Sequence, residues 1–183
     1  MQSVVVNHIP DMLKYQGMQV NKFGLDKIGK ISYKFNSQGF RGNKNFDFVP
    51  DYAFFGCSMV FGIGVPVDQT FPYLFDNSHN YGIAGNYNNA DTFILIKKFI
   101  NSSLYSTHTK IAVVWHLRDT DNLESYYQDL ESYNMLHFFC GTKLSYKSCY
   151  SIFPNIDYDI SNTHYGPKSH KAFWRLLSTL FTQ

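Results

Sequence analysis

The apolar positions of this chain change their spacing near residue 50, and that change predicts its architecture. Residues 1 to about 50 are polar, Gly- and Asn-containing and weakly periodic. They read as a lead-in of turns and short strands, with a strand expected over 31–35 and a structured turn at Asn36-Ser37-Gln38-Gly39-Phe40-Arg41-Gly42. After Pro50, short apolar runs alternate with helically spaced segments. Tyr52-Ala53-Phe54-Phe55 is apolar or aromatic throughout, as expected of a strand buried on both faces. Ile111-Ala112-Val113-Val114-Trp115-His116 is the clearest strand, and 80–85 (a strand and turn) and 136–140 predict two more. Between them, helices are predicted over 70–77, with Pro72 in the first turn, over 91–100, capped near Asn89 or Asp91, and over 123–135. A last helix over 167–181 starts near Pro167 and carries Ala172, Phe173, Leu176, Leu177 and Leu180 on one face.

Strands alternating with helices predict an α/β fold with a mostly parallel sheet, in one domain spanning 1–183 with 1–50 as its lead-in. Sites in such sheets form beyond the carboxyl ends of the strands. Ser58, Gly85 and Arg118 each follow a predicted strand and are expected to converge on one sheet edge.

Composition removes several function classes. Net charge is +2 with Lys and Arg scattered, which gives no basic patch for a nucleic acid. The 17 Phe and 14 Tyr, with abundant Asn, read as a codon bias rather than a recognition surface. No apolar run is long enough to span a membrane, and the first residues, Met1 to His8, have neither the charged nor the long apolar region of a signal peptide. A cytoplasmic or virion-associated protein is therefore expected. Cys57, Cys140 and Cys149 form no CxxC spacing and cannot all pair, so free thiols in a reducing compartment are the default.

The chemistry-bearing residues sit in two distant segments. Gly56-Cys57-Ser58 directly follows the first strand, and His164-Tyr165-Gly166-Pro167-Lys168-Ser169-His170 opens the last helix. A serine at a strand end and a late histidine are one way to build a nucleophile with its general base. Each residue also has a structural reading. Ser58 would serve as a helix cap, His116 as a core or rim residue, and Asp119 and Asp121 as caps of the following helix. Cys57 is a second candidate nucleophile. His164 and His170 lack the Cys or carboxylate spacing of a metal site, and Gly62-Ile63-Gly64 lacks the third glycine and lysine of a phosphate loop.

Gly56-Cys57-Ser58-Met59-Val60-Phe61-Gly62-Ile63-Gly64 resembles the first block of the SGNH (GDSL-like) hydrolases, in a GCS version associated with phage and marine microbial members. Asn36 to Gly42 is similar to the N-S-x-G-F-R-G stretch that precedes it there. Asn80 to Asn86 looks like the second block, N-x-G-x-x-G, and His164 to His170 the fifth, so the resemblance covers roughly 31–180. It implies a three-layer α/β/α sandwich and a serine esterase with no metal or organic cofactor. Ser58 would be the nucleophile, His164 the base and Asp159 its orienting acid, with His170 a structural residue at the helix start. The backbone N–H groups of Ser58 and Gly85, with Arg118, would hold the oxyanion.

Two departures stand out. Arg118 occupies the place of the usual oxyanion-binding Asn, and Ser161 the place of the usual Asp, with Asp159 and Asp157 close by. The substrate class implied is an acyl ester, acetyl above all, of a carbohydrate or similar polar molecule. The alternatives are an SGNH-fold binding or virion-associated module with impaired catalysis, and an acyltransferase using the same nucleophile.

Overall fold

In the computed structural model the described residues are 33–42, 44–84, 88–116, 122–140, 157 and 164–182. Four strands, β1 (Tyr52–Gly56), β2 (Ser78–Gly82), β3 (Lys110–His116) and β4 (Met135–Cys140), form a sheet in the order β2-β1-β3-β4. All three pairings are parallel, with Phe55 opposite both Tyr81 and Val113 and Val114 opposite Phe138. The predicted α/β class and parallel sheet are therefore present.

Parallel strands need a crossover between each pair. The short helix α1 (Ser58–Phe61) and two 3₁₀ turns, Val67–Gln69 and Phe71–Leu74, lie between β1 and β2. Helix α2 (Asn89–Ile100) leads to β3, α3 (Leu123–Leu130) to β4, and α4 (Pro167–Leu180) ends the described chain. Because β2 and β3 flank β1 on opposite sides, the connections reverse direction there, which makes the carboxyl end of β1 the place where a site is expected.

Alternation along the strands sorts the core onto two faces. Ala53, Phe55, Val113, Trp115 and Phe139 join residues of α2 and α3, such as Ile96, Phe99 and Leu130, in one buried cluster. Phe54, Ala112, Val114 and Phe138 join Phe71, Phe75 and the α4 residues Phe173 and Leu177 in the other. This is why the strands read as unbroken apolar runs: both faces are covered. Part of the aromatic content is core: among the described residues, Phe54, Phe55, Phe61, Phe71, Tyr81, Phe99, Trp115, Phe138, Phe139 and Phe173 are all below 2 % exposed.

Several predicted boundaries move. The helix expected over 70–77 is only the turn Phe71–Leu74, because Phe75 returns to extended backbone and Asn77 takes a positive φ of 52°. The helix expected over 123–135 stops at Leu130, since Met135 already begins β4. Helix α2 starts earlier than Asp91, capped by the Asn88 side chain accepting from the Ala90 N–H at 2.8 Å. Strand β2 begins at Ser78 and ends at Gly82, before Gly85. Of the strand expected over 31–35, the described part shows an isolated antiparallel bridge between Phe35 and Arg41.

Candidate active site

The site grows from the turn that ends β1. Gly56 has a φ of +146°, and a Cβ there would strike the Val114 carbonyl and the Val60 side chain, so the position requires glycine. Cys57 is extended, at φ −82° and ψ −161°, and its carbonyl accepts from the Val60 and Phe61 N–H groups at 3.0 and 3.1 Å. Ser58 is thus the first residue of α1, not its cap as the structural reading had it. Gly62 closes the helix in the left-handed region, φ 79°, donating to the Ser58 carbonyl at 2.9 Å. The end of β2 packs directly beneath: a methyl on Gly82 would overlap the Phe61 backbone, and Asn80 Nδ2 donates to the Val60 carbonyl at 3.0 Å.

Arg41, in the lead-in, finishes the job of holding α1. Its guanidinium is 3 % exposed and donates through Nη1 to the Phe61 and Gly62 carbonyls and through Nη2 to the Val65 carbonyl. The Phe61 and Gly62 carbonyls are groups that a helix C-terminus leaves without intrahelical donors, and Val65 lies in the turn that follows. The cation also lies 4.6 Å from the centre of the Tyr33 ring and 5.2 Å from that of Phe61. Burial without a carboxylate partner lowers its pKa to about 10, which still leaves it charged at neutral pH. The sequence marked residues 36–42 as a turn; the bonds from Arg41 to the far side of the Ser58 helix were not legible there.

His164 reaches Ser58 across 106 residues of chain, its Nε2 3.1 Å from Ser58 Oγ. Ser58 is 4 % exposed and His164 half-buried. Two of the predicted site residues are therefore together. The others, Gly85, Arg118 and Asp159, lie outside the described residues, as do Asp119, Asp121 and Ser161.

Asp157 is the nearby carboxylate that is described, and it serves the helix. Its Oδ1 accepts from the Ser169 N–H and hydroxyl, both at 2.8 Å, and its Oδ2 from the Lys168 N–H at 3.0 Å. Its carbonyl accepts from the Gly166 N–H at 2.9 Å. Burial pushes the carboxyl up, but these donors and the charge of Lys168 outweigh it and hold it below the usual carboxylate range. Asp157 thus caps α4, with both carboxylate oxygens engaged by the first turn of that helix. By fixing the first turn of α4 it positions the segment from which His164 projects.

His170 packs inside that same turn, 1 % exposed, with Nδ1 accepting the Phe71 N–H at 3.2 Å and its ring stacked on Phe71. A donor aimed at Nδ1 requires the bare nitrogen, and burial lowers the pKa to about 3. His170 is a structural histidine, as the resemblance implied. His116 ends β3, where its backbone exchanges hydrogen bonds with the Asn89 side chain at 2.8 and 2.9 Å. Asn89 was expected only as a cap; instead it ties the start of α2 to the end of β3.

Cys57 and Cys140 are both buried free thiols, with sulfurs 3.2 Å apart. A cavity of about 160 Å³ lies elsewhere, lined by Arg41, Lys44, Phe46, Tyr73, Asp76 and Asn80 among others and by neither Ser58 nor His164. No cluster of His, Cys, Asp or Glu suited to a metal occurs among the described residues, and none of their helices is long and apolar enough to cross a membrane. In comparisons with known proteins, no family model matches the chain, and no curated protein or solved structure gives a significant match.

Proposed function

We propose that this chain is an SGNH-type serine esterase. The observation that carries the reading is the 3.1 Å approach of His164 Nε2 to Ser58 Oγ at the carboxyl end of β1. A hydroxyl that donates to a bare imidazole nitrogen is the starting arrangement for general-base activation. Ser58 Oγ attacks the ester carbonyl as its proton passes to His164 Nε2, and the imidazolium then returns that proton to the departing alcohol oxygen. Water repeats the sequence on the acyl-serine: His164 takes its proton, the acid is released, and Ser58 regains its own.

The local backbone supports this role. As the first residue of a helix, Ser58 has an N–H with no intrahelical acceptor, suited to a developing oxyanion. Gly85 and Arg118 are the proposed further donors and Asp159 the proposed partner of the imidazole. Acyl esters of polar molecules, sugars foremost, are the proposed substrates, and the chemistry calls for no metal or organic cofactor.

Fluorophosphonate labelling, with adduct mass spectrometry, tests the reading on the wild type beside Ser58→Ala and His164→Ala. Labelling at Ser58 that is abolished by the first substitution and reduced at least about a hundredfold by the second is expected, from the usual contribution of a general base. A folded wild type that takes no label would overturn it in favour of a binding module on the same fold.

A further inference from the structure

Two thiols face one another beside the candidate nucleophile, and the proposed hydrolysis uses neither. Cys57 stands at the end of β1 and Cys140 at the end of β4, strands that are separated in the sheet by β3. They are 3 % and 2 % exposed and lie 83 residues apart in sequence, yet their sulfurs are 3.2 Å apart. A disulfide needs about 2.05 Å, so the sulfurs must close by roughly 1 Å, and with β3 between the two strands this takes an inward shift of the strand ends. Both side chains belong to the same buried cluster, so they already share the space in which the bond would form.

The two sulfurs are not equivalent. The contact with Cys140, together with the backbone N–H of Met59, draws the Cys57 thiol below its ordinary pKa against the opposing effect of burial. The same contact, with burial, raises Cys140 well above the ordinary thiol range. Cys57 has the character of an attacking thiolate and Cys140 that of a resolving thiol. The Cys140 sulfur also lies 3.4 Å from the Trp115 carbonyl, which keeps it at the strand end.

We propose that Cys57 and Cys140 form an oxidisable pair, converted by a small peroxide into a disulfide that joins the ends of β1 and β4 next to Ser58. In the first step the Cys57 thiolate attacks one oxygen of hydrogen peroxide. The O–O bond breaks, Cys57 becomes a sulfenic acid, and the departing hydroxide takes a proton to leave as water. In the second step the Cys140 sulfur, giving up its proton, attacks the Cys57 sulfur. The S–O bond breaks, the S–S bond forms, and the hydroxyl leaves with that proton as a second water. Overall two thiols are oxidised by two electrons while the peroxide is reduced to two waters. The burial of both thiols selects an oxidant little larger than water. The pair stands on its own geometry and does not depend on Ser58 acting as a nucleophile.

The test treats the full chain with hydrogen peroxide, unfolds it in iodoacetamide to block remaining thiols, and maps digested peptides by mass spectrometry. The expected result is a Cys57–Cys140 linked peptide that dithiothreitol releases and that Cys149→Ser retains. In Cys140→Ser, Cys57 should stop at the sulfenic acid and be captured by dimedone present as the peroxide-treated chain is unfolded; a Cys140→Ser protein that is folded during the peroxide step and yields no dimedone adduct on unfolding would overturn the assignment of roles. Recovery of both cysteines fully alkylated from the wild type, or a bridge from Cys140 to Cys149, would overturn the pair itself and leave Cys57 and Cys140 as buried packing residues.

Discussion

Acidification should unfold this protein at a pH where most of its carboxylates are still ionised, because three histidines are locked neutral in the core. His79, His137 and His170 are 0 %, 6 % and 1 % exposed. His137 Nδ1 accepts the Trp115 Nε1–H at 3.0 Å and His170 Nδ1 accepts the Phe71 N–H, so protonating either nitrogen sets two donors against each other. His79 packs its ring on Phe46 and Phe48, with Nδ1 3.0 Å from the Tyr81 hydroxyl and a buried Nε2 that has no partner. Burial lowers the three pKa values to about 3, about 4 and about 3 respectively, against 6.5 in the unfolded chain.

A base with a depressed folded pKa binds its proton only on unfolding. Stability is therefore complete above about pH 6.5 and is lost as pH falls from there toward the folded values. At pH 5 the unfolded chain takes up nearly three protons that the folded chain does not. Each contributes about 2 kcal/mol of destabilisation, about 6 in all, a figure set by the unfolded pKa and the pH once the folded values lie below 5. Typical domains have about 5–15 kcal/mol in total, so the loss is decisive. Urea unfolding followed by tryptophan fluorescence at pH 7.5 and pH 5.0 measures it, Trp115 being fully buried. His137→Phe should lower stability at pH 7.5 but reduce the pH slope by about one proton. Unfolding free energies that agree within about 1 kcal/mol between the two pH values would refute the reasoning.

Two further substitutions probe the supports of the candidate site. Arg41→Met leaves the Phe61, Gly62 and Val65 carbonyls without their charged donor and should cost about 2–4 kcal/mol after the relief of burying the cation is counted. Arg41→Lys should recover little of this in urea unfolding, since one ammonium does not span three carbonyls, and a change under about 0.5 kcal/mol in Arg41→Met would contradict the role. Asp157→Ala should lower stability by about 1 kcal/mol through the loss of the α4 cap, while fluorophosphonate labelling of Ser58 persists. Labelling that collapses to the level of His164→Ala would instead make Asp157 a partner of the imidazole.

The parallel sheet was legible because its strands are buried on both faces, and burial on both faces leaves unbroken apolar runs such as Tyr52 to Phe55 and Ile111 to Trp115. The last helix was legible from Pro167 and the stripe containing Phe173 and Leu177. The helix expected over 70–77 failed because apolar spacing alone does not separate a helix from 3₁₀ turns seated on a core. Phe71 and Pro72 are buried there, but the backbone leaves helical geometry at Phe75.

Ser58 and His164 were candidates from the resemblance to SGNH blocks, but their meeting is a tertiary fact, as is the use of Asp157 as a cap. Arg41, Asn89 and the Cys57–Cys140 contact carried no signal for their roles, since each depends on atoms that the chain brings back from far away. Local patterns determined which segments are strand or helix and which strand end presents a serine, because those properties depend on neighbours in sequence. Which side chains face that serine was decided only when the sheet ordered its strands, because a hydrogen bond of 3.1 Å depends on position in space and leaves no periodicity in the chain.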